Sequence, residues 1–283
     1  MKISKIYLSP KNRKKLFYNN EYYFNKKEKY KILKYNNHKV VNFLKEKKAD
    51  SFYIEKKFYN NYLFWLTKTL KLSITQIRKE LFDQIILAPK SKVLFIGCGF
   101  GDEISFFVKK YGSSHKIFAQ DISYSMVMES AKKLKKFNID FSISDVAKLP
   151  YKNNFFDLVF HFGGFNQFRY KKKSLEEINR VSKNLGRVIL SDEGISPSIR
   201  KTELFKALKV NNNLWSSKPP FNIIPKNSRN LEVKWILKEN FYMIKYLKID
   251  NKIDINLDVK HRSPKGGTIR SRYENYFKKK LII

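Results

Sequence analysis

The spacing of apolar residues changes character near residue 92 of this chain. Before that point, in FYNNYLFWLTKTLKLS and ITQIRKELFDQIIL, apolar side chains recur every three or four positions. That spacing predicts two amphipathic helices, the second capped by Ser73 and ended by APKSK. Beyond it, short and nearly continuous apolar runs alternate with helical stretches. KVLFIG, KIFAQD, IDFSISD, FDLVFHF and GRVILSDEG read as strands, while GDEISFFVKKYG, SYSMVMESAKKLKKF and SLEEINRVSKN read as helices. Strands alternating with helices predict βαβ units around a parallel sheet. The unbroken apolar character of the runs agrees, because such a sheet is covered on both faces.

The flanks are less regular. Residues 1–60 are rich in Lys, Asn and Tyr, hold no glycine and only Pro10, and their aromatics settle into no single period. We expect residues 1–72 to form a basic arm and helical cap, 73–195 the α/β core, and 196–283 the remainder. In that last part SIRKTELFKALKV reads as helix, NNNLWSSKPPFNIIPKNS as a proline-marked insertion, and LEVKWIL with FYMIKYLKI as final strands completing the sheet.

Charge changes the picture little. The formal net charge is +34, distributed as +15 over residues 1–90, +7 over 91–200 and +12 over 201–283. A dedicated nucleic-acid footprint is clustered; this excess is spread, and Lys, Asn, Ile, Phe and Tyr are abundant together, as in a very A+T-rich genome. We therefore read the charge as chiefly compositional. A nucleic-acid partner is not favoured, and peripheral contact with an anionic membrane is an open alternative. The single cysteine, Cys98, excludes an internal disulfide framework and fits a reducing compartment. The N-terminus lacks the continuous apolar stretch of a signal peptide, and no run approaches the ~18 apolar residues of a membrane span. A cytoplasmic location is expected.

The chemistry concentrates at VLFIGCGFGDE, where Gly97, Gly99 and Gly101 stand at alternate positions in a chain of only ten glycines. One strand-to-helix connection needs one glycine. Three let a ligand lie against the backbone at a helix N-terminus, where unpaired N–H groups favour acceptor atoms. Asp121 ends the second strand of this region, where a carboxylate accepts hydrogen bonds from ribose hydroxyls. Asp145 follows the third, beside the expected position of a base. Together these residues point to a nucleotide-like cofactor. The G-x-G-x-x-G spacing of phosphate-binding dinucleotide folds is absent, since position 102 is Asp.

As an ordered set, VLFIGCGFGDEI, IFAQDIS, SDVAKLPYKNNFFDLVF and EEINRVSKNLGRVILSDEG resemble the motifs of class I S-adenosylmethionine-dependent methyltransferases, in particular the branch containing the ubiquinone and menaquinone biosynthesis C-methyltransferases. The resemblance covers about residues 75–195. It implies an α/β, Rossmann-like, doubly wound and mostly parallel seven-stranded sheet with an N-terminal helical extension and a C-terminal insertion. It also implies S-adenosyl-L-methionine as cofactor, with Gly97, Gly99 and Gly101 at its methionine portion, Asp121 at the ribose and Asp145 at the adenine. Cys98, Ile122 and Val146 join the same cofactor set. The chain departs from the pattern at Phe95, where the family often carries an acid, and Asp102 or Glu103 is the candidate replacement. Asn184 and Leu185 stand where proline and glycine are common.

Methyl transfer from a sulfonium mainly requires alignment of donor and acceptor, with a base only where the acceptor must lose a proton. His161, at the end of the fourth strand, and Glu193, beside Asp192 at the end of the fifth, are the candidate catalytic residues. Asn166 is a candidate amide contact to substrate, and Trp215 with KPPF a candidate acceptor lid. His261, with Arg262, Lys265, Arg270 and Arg272 in HRSPKGGTIRSRY, is a candidate site for an anionic acceptor or lipid head group. Scattered histidines and two adjacent acids make no metal ligand set. The expected activity is methyl transfer to a small-molecule or lipid-like acceptor. The alternatives are an RNA methyltransferase, against which stands the absence of an N-P-P-Y-like motif after the fourth strand, and a non-catalytic scaffold binding nucleic acid or an anionic membrane surface.

Overall fold

The computed structural model describes residues 2–35, 38–44, 56–83, 85–250, 258–260, 266–272 and 275. The chain divides into two units, Met1–Ile249 and Asp250–Ile283.

The first unit opens with five strands: β1 (Lys2–Leu8), β2 (Lys15–Tyr18), β3 (Tyr22–Asn25), β4 (Glu28–Tyr35) and β5 (His38–Asn42). Each pairs antiparallel with the next. This corrects the expectation of a basic arm and helical cap over residues 1–72; among the described residues of that span the helix is α1 (Lys56–Leu70). The aromatics that fit no helical period fit a strand: Tyr18, Tyr23 and Tyr30 stand opposite one another across β2, β3 and β4. The β2–β3 and β3–β4 turns need no glycine because asparagine side chains make them. Asn19 Oδ1 accepts from the N–H groups of Glu21 and Tyr22 at 2.9 and 2.8 Å, and Asn25 Oδ1 from that of Lys27 at 2.9 Å.

After α1 comes α2 (Ile74–Phe82), capped as expected: Ser73 Oγ accepts from the Gln76 N–H at 3.1 Å, and Gln76 Oε1 from the Ser73 N–H at 2.8 Å. The alternating region follows as β6 (Lys92–Ile96), α3 (Asp102–Tyr111), β7 (Lys116–Asp121), α4 (Tyr124–Lys133), β8 (Ile139–Ile143), β9 (Phe156–Phe162), α5 (Lys171–Val181) and β10 (Ser182–Glu193). The tail adds α6 (Glu203–Asn211), β11 (Ser228–Ile236) and β12 (Phe241–Lys248).

Among the described residues all twelve strands form one sheet in the order β1-β2-β3-β4-β5-β8-β7-β6-β9-β10-β12-β11. The expected seven strands are thus corrected to twelve, because the N-terminal meander adds itself to the edge at β8 through the parallel β5–β8 pair. Pairing is parallel from β5 through β10 and antiparallel at β10–β12 and β12–β11. One core lies on the face of α2, α3 and α4, with Phe82, Phe107 and Val127; the other holds Leu175, Ile178 and Val181 of α5. Strand β6 shows why the apolar runs are unbroken: Val93 and Phe95 join the first core, Leu94 and Ile96 the second. Chain order reverses between β6 and β9, which opens a crevice at the carboxyl ends of these strands.

Candidate active site

The Gly97–Gly101 loop joins β6 to α3, and its three glycines, all at positive φ, have different surroundings. A Cβ on Gly97 would stand 3.1 Å from Cε1 of His161, and one on Gly101 would meet Ser130 of α4 and, at 2.8 Å, Leu134 just after it. Gly99 alone faces open space. Close packing therefore accounts for two of the glycines, and the opening for a ligand lies at the third.

Asp121 ties this loop to the next helix. Its Oδ2 accepts from the Gly99 N–H at 2.8 Å and its Oδ1 from the Ser123 N–H at 2.9 Å, while the Cys98 N–H donates to the Gln120 carbonyl at 2.9 Å. Burial raises the Asp121 carboxyl above its ordinary range, against the pull of these N–H groups. Ile122 is half-buried beside it. Asp145, half-buried after β8, accepts from the Ala147 N–H at 2.8 Å and so starts the short turn Val146–Lys148, with Val146 buried. Since β6, β7 and β8 are parallel neighbours, the glycine loop, Asp121 and Asp145 follow one another along one edge. An open flank at Gly99 beside the N-terminus of α3, with two carboxylates after the adjoining strands, fits a nucleoside-bearing cofactor.

Phe95 packs into the first core, 5.4 Å from the ring of Phe107 and 5.5 Å from that of Phe160. The two acids expected to compensate for it are held by cations. Asp102 pairs with Lys133 at 2.6 Å and Arg78 at 3.5 Å, and Glu103 with Arg78 at 3.5 Å. Burial raises the Glu103 carboxyl and Arg78 opposes the shift.

The ends of β9 and β10 carry a second group. His161 is 2% exposed, and its Nδ1 lies 2.8 Å from the Ile96 carbonyl. A carbonyl only accepts, so this nitrogen carries the proton and Nε2 is a bare acceptor, buried and without a partner among the described residues. Burial lowers the imidazole to about 4, opposed by the Ile96 carbonyl and by Glu193. The ring lies against Gly97 of the glycine loop.

Asp192 is wholly buried. Its Oδ1 accepts from the N–H groups of Gly164 at 3.1 Å and Glu193 at 2.9 Å, and its Oδ2 from that of Asn166 at 2.5 Å. Burial and the adjoining Glu193 hold its carboxyl well above the ordinary range. Glu193 Oε1 accepts from the Tyr62 hydroxyl of α1 at 2.8 Å, whereas Oε2 is buried and unpartnered among the described residues.

Asn166 is used internally: its Nδ2 donates to the Glu193 carbonyl at 2.8 Å and its Oδ1 accepts from the Tyr242 hydroxyl at 3.0 Å. It bridges two strands through these bonds. Trp215, expected in an acceptor lid, is 1% exposed and packs against Trp65 at 6.4 Å and Phe241 at 5.4 Å, leaving its indole N–H buried without a partner among the described residues. His261, Arg262 and Lys265 lie outside the described residues. In the second unit Arg270 pairs with Asp258 at 2.7 Å and Arg272 donates to the Gly266 carbonyl, so the described cations of that stretch are engaged locally.

Helix α1 links the two groups of residues. Tyr59 lies 5.3 Å from Phe100 in the glycine loop, Tyr62 bonds Glu193, and Trp65 meets Trp215. Positions 59, 62 and 65 share a helical face that the sequence period already marks, but what that face covers is a tertiary fact. Arg78, Tyr62 and Tyr242 are the site residues that sequence reasoning missed. Among the described residues no helix is long and apolar enough to cross a membrane, and no group of three or more His, Cys, Asp or Glu is placed to hold a metal ion.

Residues 87–243 match the methyltransferase domain family. The ubiquinone/menaquinone biosynthesis C-methyltransferase UbiE of Burkholderia vietnamiensis is 34% identical over 109 residues, 38% of this chain and 45% of that protein. Its counterpart in Hydrogenovibrio crunogenus is 33% identical over 108 residues, 37% of this chain and 42% of that protein. The match thus spans less than half the length of these curated relatives. Among solved structures, phosphoethanolamine N-methyltransferase 2 of Haemonchus contortus, in complex with S-adenosyl-L-methionine, aligns with a TM-score of 0.52 at 15% identity, over 69% of this chain and 59% of that one. That likeness is one of fold.

Proposed function

The chain belongs to the methyltransferase domain family, and from that premise we propose that it carries a methyl group from S-adenosylmethionine to a small aromatic or lipid-like acceptor lying between α1 and the carboxyl ends of β9 and β10. When bound, the cofactor supplies an electrophilic methyl group. Gly99 leaves room for it, the N-terminus of α3 favours its acceptor atoms, and Asp121 and Asp145 accept hydrogen bonds from the ribose and the base.

The observation that carries the acceptor reading is the bare Oε2 of Glu193, a buried carboxylate oxygen without a partner among the described residues. A buried acceptor left unpaired is costly unless a ligand completes it. Here it lies beside an aromatic group made by Tyr62, Trp65, Trp215 and Phe241. An acceptor with a flat apolar body and one acidic O–H or C–H satisfies both features, and Glu193 takes its proton as general base. Tyr62 orients that carboxylate through Oε1, Asp192 fixes the Asn166 turn, and α1 excludes water. His161, neutral and held by Ile96, supports the glycine loop from below and acts as a positioning residue.

The test is calorimetric titration with S-adenosylhomocysteine, followed by transfer of labelled methyl to hydroxylated aromatic and prenylated phenolic acceptors. Wild type and Glu193→Gln should both bind S-adenosylhomocysteine and Gly99→Arg should not; transfer should fall about a hundredfold or more in Glu193→Gln. Failure of the folded wild-type protein to bind would sink the cofactor reading. Undiminished transfer by Glu193→Gln would remove the base.

A further inference from the structure

The N-terminal meander presents two unlike faces. On one, Tyr23 and Tyr30 join Tyr7 and Leu16 in the second core, with Tyr18 stacked on Tyr23 at 5.4 Å. On the other, Ile3, Phe17, Phe24 and Lys29 form one cross-strand row over four strands, and Tyr22 stands opposite Lys31 in the next. Ile3, Phe17, Tyr22 and Phe24 belong to neither core. Ile3 is 52% exposed, and Lys15, Lys29 and Lys31 are exposed. Further along β4 the same side is covered, where Leu33 and Tyr35 pack against the first core.

On the part of this face that lies outside both cores among the described residues, Phe17, Tyr22 and Phe24 are half-buried. The rings of Phe17 and Phe24 lie 6.4 Å apart, and Lys29 Nζ stands 3.6 Å over the ring of Tyr22. A concavity of about 440 Å³ opens beside Phe24, lined by Asn19, Lys26, Lys27, Glu28 and Lys29. Over residues 2–35 there are eleven Lys and Arg against two Glu. One of these acids, Glu28, is drawn to Ser9 and Asn25, and the other, Glu21, sits in the turn after β2.

The partner that matches must be anionic and must offer flat faces at close spacing. A single-stranded nucleic acid offers both, with bases that stack on rings and phosphates that meet lysines. A duplex shows phosphates but keeps its base faces stacked inside. A membrane surface is met by protruding apolar side chains of an amphipathic helix or an anchor, whereas Phe17, Tyr22 and Phe24 are half-buried on the sheet face. We infer that this face binds single-stranded nucleic acid, with bases on Phe17 and Phe24 and phosphates at Lys15, Lys29 and Lys31. Although the charge is spread along the sequence, the fold gathers part of it among rings. The inference does not rest on the methyl-transfer reading, because β5, β8 and β7 separate β1–β4 from the strand that carries the glycine loop.

The test uses the full chain and fluorescence anisotropy with a labelled twelve-nucleotide uridine oligomer, a duplex of equal length, and vesicles of phosphatidylcholine with phosphatidylglycerol. The oligomer should bind in preference to the duplex. Phe17→Ala with Phe24→Ala should weaken binding about tenfold or more without changing its salt slope. Lys29→Gln with Lys31→Gln should flatten the slope of log affinity against log salt by about 1.4, from ~0.7 per phosphate contact. Phe17 and Phe24 belong to neither core, so circular dichroism melting of that variant should match wild type and separate lost binding from lost fold. Unchanged affinity in the folded aromatic variant, equal duplex binding, or binding to vesicles alone would overturn the inference.

Discussion

The imidazole of His161 lies against Gly97: its Cε1 and Nδ1 stand 3.1 and 3.2 Å from the place a Cβ on residue 97 would take, while Nδ1 donates to the carbonyl of the preceding Ile96. The two glycines nearest the cofactor opening should therefore respond differently to the same substitution. Gly97→Ala meets the ring and also strains a backbone at φ +59°, so stability should fall by about 2 kcal/mol and His161 should shift. Gly99→Ala bears only the backbone strain at φ +49°, about 1 kcal/mol, and its methyl enters the open space, so S-adenosylhomocysteine affinity should fall about tenfold or more. Urea unfolding and calorimetric titration of both variants check this. Equal stability losses would contradict the packing of His161 on Gly97.

The pH dependence of stability offers a second check on the same histidine. Burial holds its imidazole near 4 in the folded chain, below the ordinary value of about 6.5. As pH falls from 6.5 toward 4 the unfolded chain takes up a proton that the folded chain refuses, so stability present above pH 6.5 is lost on that descent, by about 3 kcal/mol in all. The raised carboxyls of Asp121, Glu103 and Asp192 act with the opposite sign. The difference between wild type and His161→Gln isolates the imidazole. From pH 7.5 to pH 4.5 that difference should move by about 2–3 kcal/mol in favour of the variant; a constant difference would show that His161 becomes protonated in the folded chain.

The central fold was legible because local and tertiary signals agree there. KVLFIG and FDLVFHF are apolar on both sides because helices cover both faces, and Gly97 to Gly101, Asp121 and Asp145 fall at strand ends in chain order. The meander was not legible. Its turns are made by Asn19 and Asn25 rather than glycine, its buried face is built from tyrosines, and β5 reaches the sheet only through the distant β8. At the site, Glu193 and His161 could be placed at strand ends, but Tyr62 and Arg78 arrive from helices whose destinations no local pattern encodes. Trp215 differs from the expected lid for a related reason: packing from α1 and β12 covers it.

Tyr62 is the direct test of α1 as part of the site. Its hydroxyl donates to Glu193 Oε1 at 2.8 Å, and burial together with that carboxylate raises the phenol well above its ordinary value, so it remains a donor throughout the working range. Tyr62→Phe keeps the ring contact with Trp65 and removes the donor. Stability should fall by about 1–2 kcal/mol for the carboxylate left short of a partner, and kcat by about tenfold with S-adenosylhomocysteine affinity unchanged. A loss of S-adenosylhomocysteine affinity equal to the loss of turnover would mean that α1 acts on the glycine loop through Tyr59 rather than on the acceptor side through Glu193.

Trp215 separates a packing role from a recognition role. Wedged against Trp65 and Phe241 and 1% exposed, it fills volume that alanine cannot, so Trp215→Ala should cost about 3–5 kcal/mol. That loss alone says nothing about substrate, because a cavity beneath α1 would loosen Tyr62 as well. Trp215→Phe retains an aromatic ring between the same neighbours and deletes the buried indole N–H, which has no partner among the described residues. If that N–H serves only as core, the phenylalanine variant should lose about 1–2 kcal/mol from its smaller volume and transfer methyl with unchanged KM. If, as expected, the N–H meets an acceptor atom beside Glu193, KM for the acceptor should rise about tenfold at the same modest cost in stability, with S-adenosylhomocysteine affinity unaffected. Urea unfolding, steady-state kinetics and titration of the one variant decide between the two.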